Sequence, residues 1–446
     1  MQLYYFLLEN LQIIGFLFFV FVAWFMSSRR ERQNKEGLAA WKKAVEEKRS
    51  EPQSLHPVID PALCAGCGAC LRACPEGQIL KLVGDRARLV SPTACVGHGE
   101  CEAACPFGAI TLVFGTKTRG MELPRVNKNY ETNVQGLYIA GELGGMGLIR
   151  NATKQGRLAA YHAIENLDSS LIADVDVLIV GSGPAGLTAA LACKEKKVSH
   201  LCLEQGQFGG SIANFPRQKL VMSYPLELPI VGSYKFRQNK VTKEELMELW
   251  TGLRGKLRLN VDENHRFVNL ASDGDIFEVE TSQKMIRARK VILAMGVRGT
   301  PRKLGLPNED LPKVTYNLLE PEQYQNCHIS IVGGGNAAVE AAQRLGDVHL
   351  KNKVRLLVRG DLLDRCNEEN KAILMTYVEK RRVKVHYNTS VDSIEKETIT
   401  IVSQDEKRTI ENHYLFVFAG AELPFKFLKD LGIKIDVKHG EAPDAS

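Results

Sequence analysis

The feature that most constrains this chain is a dense group of cysteines: of eleven cysteines, seven lie between Cys64 and Cys105. They form two runs, each closed by a proline, with short glycine-containing loops between the sulfurs. Such spacing lets several soft thiolates reach one iron–sulfur cluster without backbone strain. The repetition of the run therefore predicts a pseudo-symmetric module that holds two clusters.

The two runs resemble those of two-cluster bacterial ferredoxins, in which the fourth cysteine of each run ligates the other cluster. The resemblance implies a first 4Fe–4S cluster, with the ligands Cys64, Cys67, Cys70 and Cys105. It implies a second cluster, with the thiolate ligands Cys74, Cys95 and Cys101. In the second run His98 stands where a cysteine is expected, and three arrangements are open: His98 as a ligand, a 3Fe–4S cluster, or a water on one iron. A zinc ribbon is the alternative for the whole module, and two proline-terminated runs fit it poorly.

The N-terminal residues are apolar enough to span a membrane. Leu11 to Met26 is almost entirely apolar, and Leu3 to Leu8 extends it past Glu9 and Asn10, whereas a spanning helix needs about 20 residues. The basic residues that follow at once are Arg29, Arg30, Arg32 and Lys35. Since no basic residue precedes the segment, the positive-inside rule predicts a single pass in a bacterial inner membrane, with the N-terminus outside and the body in the cytoplasm. A cleaved signal peptide is the alternative, but its basic start and small-residue cleavage site are missing.

Residues 36–49 carry Leu38, Trp41 and Val45 at helical spacing among charges. This pattern predicts a short amphipathic helix, which we expect to form a stalk along the membrane surface. The net charge of +6 is modest for 446 residues, and no basic run is interleaved with aromatic residues. We therefore expect several domains and no nucleic-acid partner.

A dinucleotide-binding fingerprint follows the cysteine module. The segment from Asp176 to Ala190 predicts a buried strand, a glycine turn and a helix, and Glu204 closes the next apolar strand. In such a turn one glycine forms the bend, one lets the pyrophosphate approach, and one packs the helix, while the acid binds ribose hydroxyls. The candidate residues are Gly181, Gly183, Pro184, Ala185, Gly186 and Glu204.

A second unit of the same kind begins near His328. Its candidate nucleotide-binding residues are Gly333, Gly335, Asn336, Ala338 and Glu340. The strand that follows ends in Arg359 instead of an acid. Because an arginine attracts the 2′-phosphate that an acid would repel, this unit favours NADPH over NADH.

Two such units in tandem resemble the thioredoxin-reductase-like class of pyridine-nucleotide flavoproteins, whose first unit holds FAD and whose second, inserted unit holds NAD(P)H. The resemblance extends from about Glu122 to Ile435 and includes three further glycine positions: Gly210, Gly296 and Gly420. It implies a FAD- and NAD(P)-dependent oxidoreductase. Members of this class are often dimers, so a homodimer is one expectation.

The order of the segments departs from that class. Its members normally end with a segment of the form ETxVPGLYAAGD, which meets the flavin. Here the matching residues 131–142, ending in Gly141 and Glu142, precede the first nucleotide unit. The resemblance therefore implies a circularly permuted FAD domain, completed from its N-terminal side by residues 127–167.

The combined reading is an α/β fold with two Rossmann-like domains, preceded by a small α+β dicluster ferredoxin-like domain and one transmembrane helix. The predicted divisions are 1–27 (transmembrane helix), 28–57 (basic amphipathic linker), 58–118 (dicluster domain), 119–301 (FAD domain, as segments 119–168 and 174–301), 302–420 (NAD(P) domain) and 421–446 (return to the FAD domain and tail).

The predicted function is electron transfer between NAD(P)H, FAD and two iron–sulfur clusters, to or from an acceptor such as a quinone, a cytochrome, a ferredoxin or another carrier protein. A redox sensor is one alternative. Disulfide reduction is another, but the Cys-x-x-Cys of a thioredoxin reductase is absent, and Cys327 and Cys366 each lack a near partner in sequence.

Overall fold

The computed structural model describes residues 10–46, 51–52, 54–145, 147–222, 225–238, 240–272, 275–297, 301–363, 365–404, 406–420 and 424–442. The apolar segment Leu3 to Leu8 and Glu9 lie outside the described residues. The chain divides into two compact units, Met1–Phe114 and Gly115–Ser446.

The first unit opens with one unbroken helix, α1 (Leu11–Glu46). Among the described residues, one helix is long and apolar enough to cross a membrane, and none of its most apolar stretch is buried. The sequence predicts a short amphipathic helix along the membrane surface over residues 36–49, of which 47–49 lie outside the described residues. The second half of α1 instead continues the same helix and packs against a β-hairpin of this unit.

The rest of the first unit is small and nearly two-fold repeated. Its elements are β1 (His56–Ile59), α2 (Ala69–Ala73), β2 (Leu80–Val83), β3 (Arg86–Leu89), α3 (Glu100–Ala103) and β4 (Ile110–Val113). Strand β1 pairs antiparallel with β4, and β2 pairs antiparallel with β3. Each short helix starts at a glycine with positive φ, Gly68 before α2 and Gly99 before α3. These tight turns place the cysteines before and on each helix close together.

The second unit contains a sheet built around the first fingerprint. Its strands are β6 (Leu137–Ile139), β7 (Val175–Val180), β8 (His200–Leu203), β13 (Val261–Asp262), β14 (Phe267–Ser272), β15 (Phe277–Thr281) and β16 (Met285–Leu293). The strand order is β13-β8-β7-β16-β15-β14, with β6 paired parallel to the end of β16. Continuous apolar runs such as Val177–Val180 are typical of parallel strands buried on both faces. Helices α4 (Ile149–Glu165) and α5 (Pro184–Glu195) pack together on this sheet through small residues.

A parallel sheet holds the second fingerprint. Its strands, in spatial order, are β17 (Val314–Thr315), β24 (Tyr414–Val417), β18 (His328–Val332), β19 (Lys353–Leu357) and β20 (Val383–His386). Helices α7 (Asn336–Leu345) and α8 (Glu368–Glu379) accompany it. An antiparallel meander follows, made of β21 (Thr389–Ile394), β22 (Thr398–Ser403) and β23 (Glu406–Glu411).

Smaller elements complete the second unit. They are β5 (Met121–Pro124), β9 (Leu220–Met222), β10 (Leu226–Leu228), β11 (Gly232–Tyr234), β12 (Lys240–Thr242), α6 (Lys243–Leu257), α9 (Phe425–Asp430) and β25 (Ile435–Lys438). Helix α6 begins with a capping box between Thr242 and Glu245. Leu428 and Ile433 return to the core of the first sheet, and β25 pairs with β5.

Candidate nucleotide and iron–sulfur sites

The first glycine turn joins β7 to α5 and contains glycines of two physical kinds. At Gly181, with φ 101°, a Cβ would lie 2.5 Å from the Ala294 carbonyl oxygen, and at Gly186 it would lie 1.8 Å from the Gly181 carbonyl oxygen. These two positions need glycine for the packing of the chain itself. At Gly183 the backbone is extended, with φ −68° and ψ −171°, and nothing lies within 4 Å of an added Cβ. The protein does not require glycine there, which fits a ligand that approaches the start of α5 closely.

Glu204 holds this turn in shape. Its carboxylate accepts hydrogen bonds from the backbone N–H of Ser182 at 2.9 Å and from the Ser182 hydroxyl at 2.8 Å. The N–H of Gly206 donates to its other oxygen at 3.0 Å. Glu204 is only 6% exposed, so its charge is directed at the turn and at the space in front of it.

The segment expected to complete the FAD domain lies at the same place. A Cβ at Gly141, where φ is 90°, would lie 3.2 Å from the Cβ of Ala185, the second residue of α5. The Gly141 N–H donates to the side chain of Gln155 at 2.7 Å, and Gly156 packs against the Ala185 carbonyl so closely that a Cβ would lie 2.0 Å from that oxygen. Glu142 starts a 3₁₀ turn directly after Gly141. The segment expected to complete the FAD domain therefore meets the first fingerprint at Ala185.

Two further candidate glycines border this turn. A Cβ at Gly210 would lie 3.2 Å from the Cα of Gly183, so Gly210 lies directly against the open position. Gly296, with φ 64°, follows the end of β16, where Met295 contacts Gly181. The structure thus gathers the candidate FAD residues around the N-terminus of α5, which begins with Pro184.

The second fingerprint repeats the pattern at α7. Gly333, with φ 142°, is packed against the Phe418 carbonyl and the Ala338 side chain, whereas Gly335 has an extended backbone and open space where a Cβ would be. The side chain of Asn336 is held by the loop that precedes α8, because its oxygen accepts a hydrogen bond from the backbone N–H of Asn367 at 2.9 Å. This turn therefore offers the same open approach to a helix N-terminus as the first one.

The other candidate residues of the second site make their contacts outside its glycine turn. The Glu340 carboxylate binds Lys219 Nζ at 2.5 Å and Asn370 Nδ2 at 3.1 Å. It therefore links α7 to the residue that precedes β9. Arg359 is exposed just after β19, next to Val358, which contacts Gly334. Gly420, with φ 93°, has open space around it. Arg359 is thus free of close packing at the end of the strand where a ribose phosphate is expected.

The eight candidate iron–sulfur ligands divide between two cavities of the first unit. One cavity, of about 300 Å³ with the solvent space at its mouth, is lined by Cys64, Cys67, Cys70 and Cys105. The other, of about 340 Å³ measured in the same way, is lined by Cys74, Cys95, His98 and Cys101. Each cavity collects the ligand set that the ferredoxin resemblance implies. Among the described residues, no group of three or more such side chains converges tightly enough to hold a single metal ion.

His98 lies inside the second cavity. Its side chain is 8% exposed, and its Nε2 atom is 3.6 Å from an oxygen of Glu76. The histidine therefore occupies the place of the missing cysteine in space as well as in sequence, next to a carboxylate that can orient its ring.

Burial raises the pKa of the clustered thiols. The pKa of Cys70 rises to about 11, because the thiol is buried and because Cys64 is near. Burial, and then Cys95, raises the pKa of Cys101 to about 12. Thiolates at these positions need the positive charge of iron to be stable, which suits cluster ligation.

The four cysteines of the second unit have a different environment. Cys193, Cys202 and Cys366 are buried, and Cys327 is partly buried. Burial raises the pKa of Cys327 and, to about 12, those of Cys193 and Cys366. Since the thiolate is the nucleophile, these groups are poorly suited to disulfide exchange.

Sequence reasoning missed several residues that support the sites. Ser182 is fully buried, donates to Glu204 and accepts a hydrogen bond from the N–H of Gly209. Its position between Gly181 and Gly183 could have identified it as part of the site. Gln155 is 1% exposed and fixes Gly141, but nothing in a helical pattern distinguishes it from a surface glutamine.

Comparison with known proteins agrees with this geometry. Residues 178–444 match the family model described as pyridine nucleotide-disulphide oxidoreductase. Residues 56–106 match the model described as 4Fe-4S dicluster domain.

Relatives match more than half of the chain. The chain is 28% identical to "Bacilliredoxin reductase Bdr" of Bacillus subtilis over 59% of this chain and 82% of that protein. It is 28% identical to "Ferredoxin--NADP reductase" of Ignicoccus hospitalis over 58% of this chain and 82% of that protein. Among solved structures, "Bacillithiol Disulfide Reductase Bdr (YpdA) from Staphylococcus aureus" matches with a TM-score of 0.53 and 26% identity, covering 59% of this chain and 81% of that one.

Proposed function

Because the chain belongs to the pyridine nucleotide-disulphide oxidoreductase family, we propose that it is a membrane-anchored reductase that passes electrons from NAD(P)H through FAD and two iron–sulfur clusters to an acceptor. Its coarser description follows from the two family matches: a flavin-dependent NAD(P)H oxidoreductase with an iron–sulfur module. The earlier prediction of a thioredoxin-reductase-like enzyme joined to a dicluster domain is thereby confirmed. The anchor, the number of clusters and the acceptor belong to the proposal.

The two cavities of the first unit carry this proposal. A flavoprotein that only exchanges hydride with a soluble partner has no use for eight ordered cluster ligands. FAD supplies the conversion between two-electron hydride chemistry and single-electron transfer. The chain's residues would bind and orient the cofactors, with Gly183 admitting the FAD pyrophosphate and Glu204 accepting its ribose hydroxyls.

Arg359 supports NADPH as the nucleotide. It stands exposed at the end of β19, and Arg365 lies exposed on the same loop. Two guanidinium groups at this position would attract a 2′-phosphate.

We also propose that His98, which lines its cavity together with three cysteines, is the fourth ligand of the second cluster.

The reductase names of the relatives raise the alternative of disulfide reduction. The environment of the second unit's cysteines does not favour it, because three are buried and the pKa of each of Cys193, Cys327 and Cys366 is raised. We therefore retain electron transfer through the clusters as the function.

An anaerobic titration of the cluster-reconstituted full chain with NADPH, and separately with NADH, tests the proposal. Flavin bleaching followed by EPR signals of reduced clusters is expected, with NADPH effective at lower concentration. The same reduction should persist in Cys327→Ser and Cys366→Ser variants. Flavin reduction with clusters that stay oxidised would refute the electron path, and reduction without turnover of any acceptor would favour a sensor.

A further inference from the structure

The helix that carries the apolar segment also carries the iron–sulfur module. Asp85, at the turn between β2 and β3, binds Arg30 Nε at 2.6 Å and Asn34 Nδ2 at 2.8 Å. The backbone N–H of Asp85 donates to Asn34 Oδ1 at 3.0 Å. The turn is therefore held by both charge and hydrogen bonds to residues that closely follow the apolar segment.

Further contacts continue along the same helix. Gly37 lies so close to the β2 backbone that an added Cβ would be 1.9 Å from the Leu82 carbonyl oxygen. The Arg88 guanidinium lies over the Trp41 ring, 4.7 Å from its centre. Contacts over several helical turns fix the direction of the hairpin: its turn lies toward the apolar segment, and its strands run away from it.

The hairpin orders the two cavities along the helix. The Cys64 cavity lies at the turn end, because Gly66 meets both the Asp85 carbonyl and the Arg30 guanidinium, and because the Ala87 N–H points at the Cys64 sulfur over 3.4 Å. The His98 cavity is lined by Ile79 and Leu80, at the open end of the hairpin. Leu80 and Val83 are the two ends of β2, and at about 3.3 Å per residue they are roughly 10 Å apart along the strand.

The turn end is also close to the predicted membrane boundary. Arg30 follows Met26 by one turn of helix, about 6 Å at 1.5 Å per residue. Phe107 and Cys67, in the lining of the Cys64 cavity, are exposed, as is Val96 in the lining of the His98 cavity. Both cavities therefore have an exposed apolar side chain at their edge, and the distance from the apolar segment of α1 is what distinguishes them.

The charges around the two cavities differ in sign. Arg72 donates to the Cys67 carbonyl at 3.3 Å, and Arg86 donates to the Cys64 carbonyl. The His98 cavity has Glu76 beside the histidine and Glu100 in its lining. Basic groups are attracted to an anionic lipid surface, and acidic groups are repelled from it.

From these observations we propose that the cluster of Cys64, Cys67, Cys70 and Cys105 is the membrane-side electron port, and that its acceptor is a lipid-soluble quinone. The inference rests on the proposed membrane anchor. NAD(P)H oxidation gives NAD(P)⁺, one proton and two electrons; the electrons pass singly to the quinone, which takes up two protons from water and becomes a quinol. The His98 cluster then lies on the side away from the bilayer.

The order of the clusters can be measured without turnover. The full chain is placed in nanodiscs with and without lipids that carry a gadolinium chelate on the headgroup, and the EPR relaxation of each reduced cluster is recorded. Cys101→Ser and Cys64→Ser variants assign the two signals, and the power saturation of the wild-type signals serves if a variant does not fold. The lipid-borne gadolinium should speed relaxation of the Cys64 cluster more than that of the His98 cluster. Equal or reversed effects overturn the proposal, whereas failure to enter nanodiscs refutes the anchor instead.

The acceptor is tested in nanodiscs that contain ubiquinone and no other protein. Gly37→Leu should force the hairpin off the helix, abolish most quinone reduction and change Trp41 fluorescence, while reduction of soluble ferricyanide stays unchanged. Gly15→Leu is the matched control, since nothing lies within 4 Å of a Cβ there. Unchanged quinone reduction in Gly37→Leu, or turnover that requires an added carrier protein instead of quinone, overturns the proposal.

Discussion

Replacing Gly183 by alanine separates the two reasons for which a glycine stands in a nucleotide-binding turn. The backbone at Gly183 is extended, and no atom of the described residues lies within 4 Å of the new methyl group. Alanine lowers the conformational entropy of the unfolded chain, which stabilises the folded protein by about 0.4–1 kcal/mol. However, alanine is a poorer N-cap residue than glycine. These effects oppose each other, so the free energy of unfolding of the apoprotein should change by less than about 1 kcal/mol.

FAD binding should respond strongly to the same change. The methyl group would occupy the space in front of α5, and an overpacked contact costs about 1–3 kcal/mol. That corresponds to roughly a 5- to 160-fold increase in Kd. The measurement is a flavin titration of the apoprotein, followed by fluorescence, next to a thermal denaturation of the same sample.

Gly186→Ala is the matched control and should behave in the opposite way. Its methyl group would lie 1.8 Å from the Gly181 carbonyl oxygen, so the apoprotein itself should lose stability. A lower denaturation temperature is expected before any flavin is added. If Gly183→Ala bound FAD as tightly as the wild type, the open space at Gly183 would not be where the pyrophosphate lies.

Three other outcomes are expected. Glu204→Gln should weaken FAD binding and destabilise the apoprotein by about 1–3 kcal/mol, because one amide oxygen cannot accept the bonds from Ser182 and Gly206 together; flavin titration and denaturation measure both. Arg359→Glu should reverse the preference for NADPH over NADH, as seen in kcat/KM for each nucleotide. Cys101→Ser should remove one cluster EPR signal, whereas Cys202→Ser, a change at a buried thiol of the other unit, should leave both signals intact.

The positions of the nucleotide turns could be predicted because their physical requirements are local. Gly181, Gly186 and Gly333 each stand where a side chain would collide with the chain a few residues away or on the neighbouring strand, and such requirements leave a fixed spacing in the sequence. The cysteine runs are local for the same reason. The exchange of the fourth cysteine between runs came from the ferredoxin resemblance, and the two cavities contain the implied sets.

Contacts between segments that are distant in sequence leave no fixed spacing from which they could be predicted. The docking of α1 on the hairpin depends on Asn34, Gly37 and Asp85, each of which is an ordinary residue in its own segment. The pattern of residues 36–49 predicted an amphipathic helix, and residues 36–46 are helical, but Leu38 and Val45 are 40% and 47% exposed whereas Gly37 and Ala44 are buried. Periodicity did not show which side of the helix would cover protein. The Lys219–Glu340 ion pair could not be predicted either, since its partners lie 121 residues apart in the chain.

Residues 131–142, which we expect to contact the flavin, stand early in the chain, and this changes the order in which the chain can fold during synthesis. Gly141 and Ala185 meet across a short stretch of chain, whereas in the usual order of this class the same contact joins the two ends of the enzyme. Contacts that are near in sequence form faster. The strands and helices around the flavin turn, up to the end of β16, can therefore assemble on the ribosome before the NAD(P) domain has been translated. The segment from α9 to β25 must wait for the end of the chain, because Leu428 and Ile433 pack into the core of this sheet and β25 pairs with β5. The contact between Gly141 and Ala185 can form during synthesis, before that segment is made.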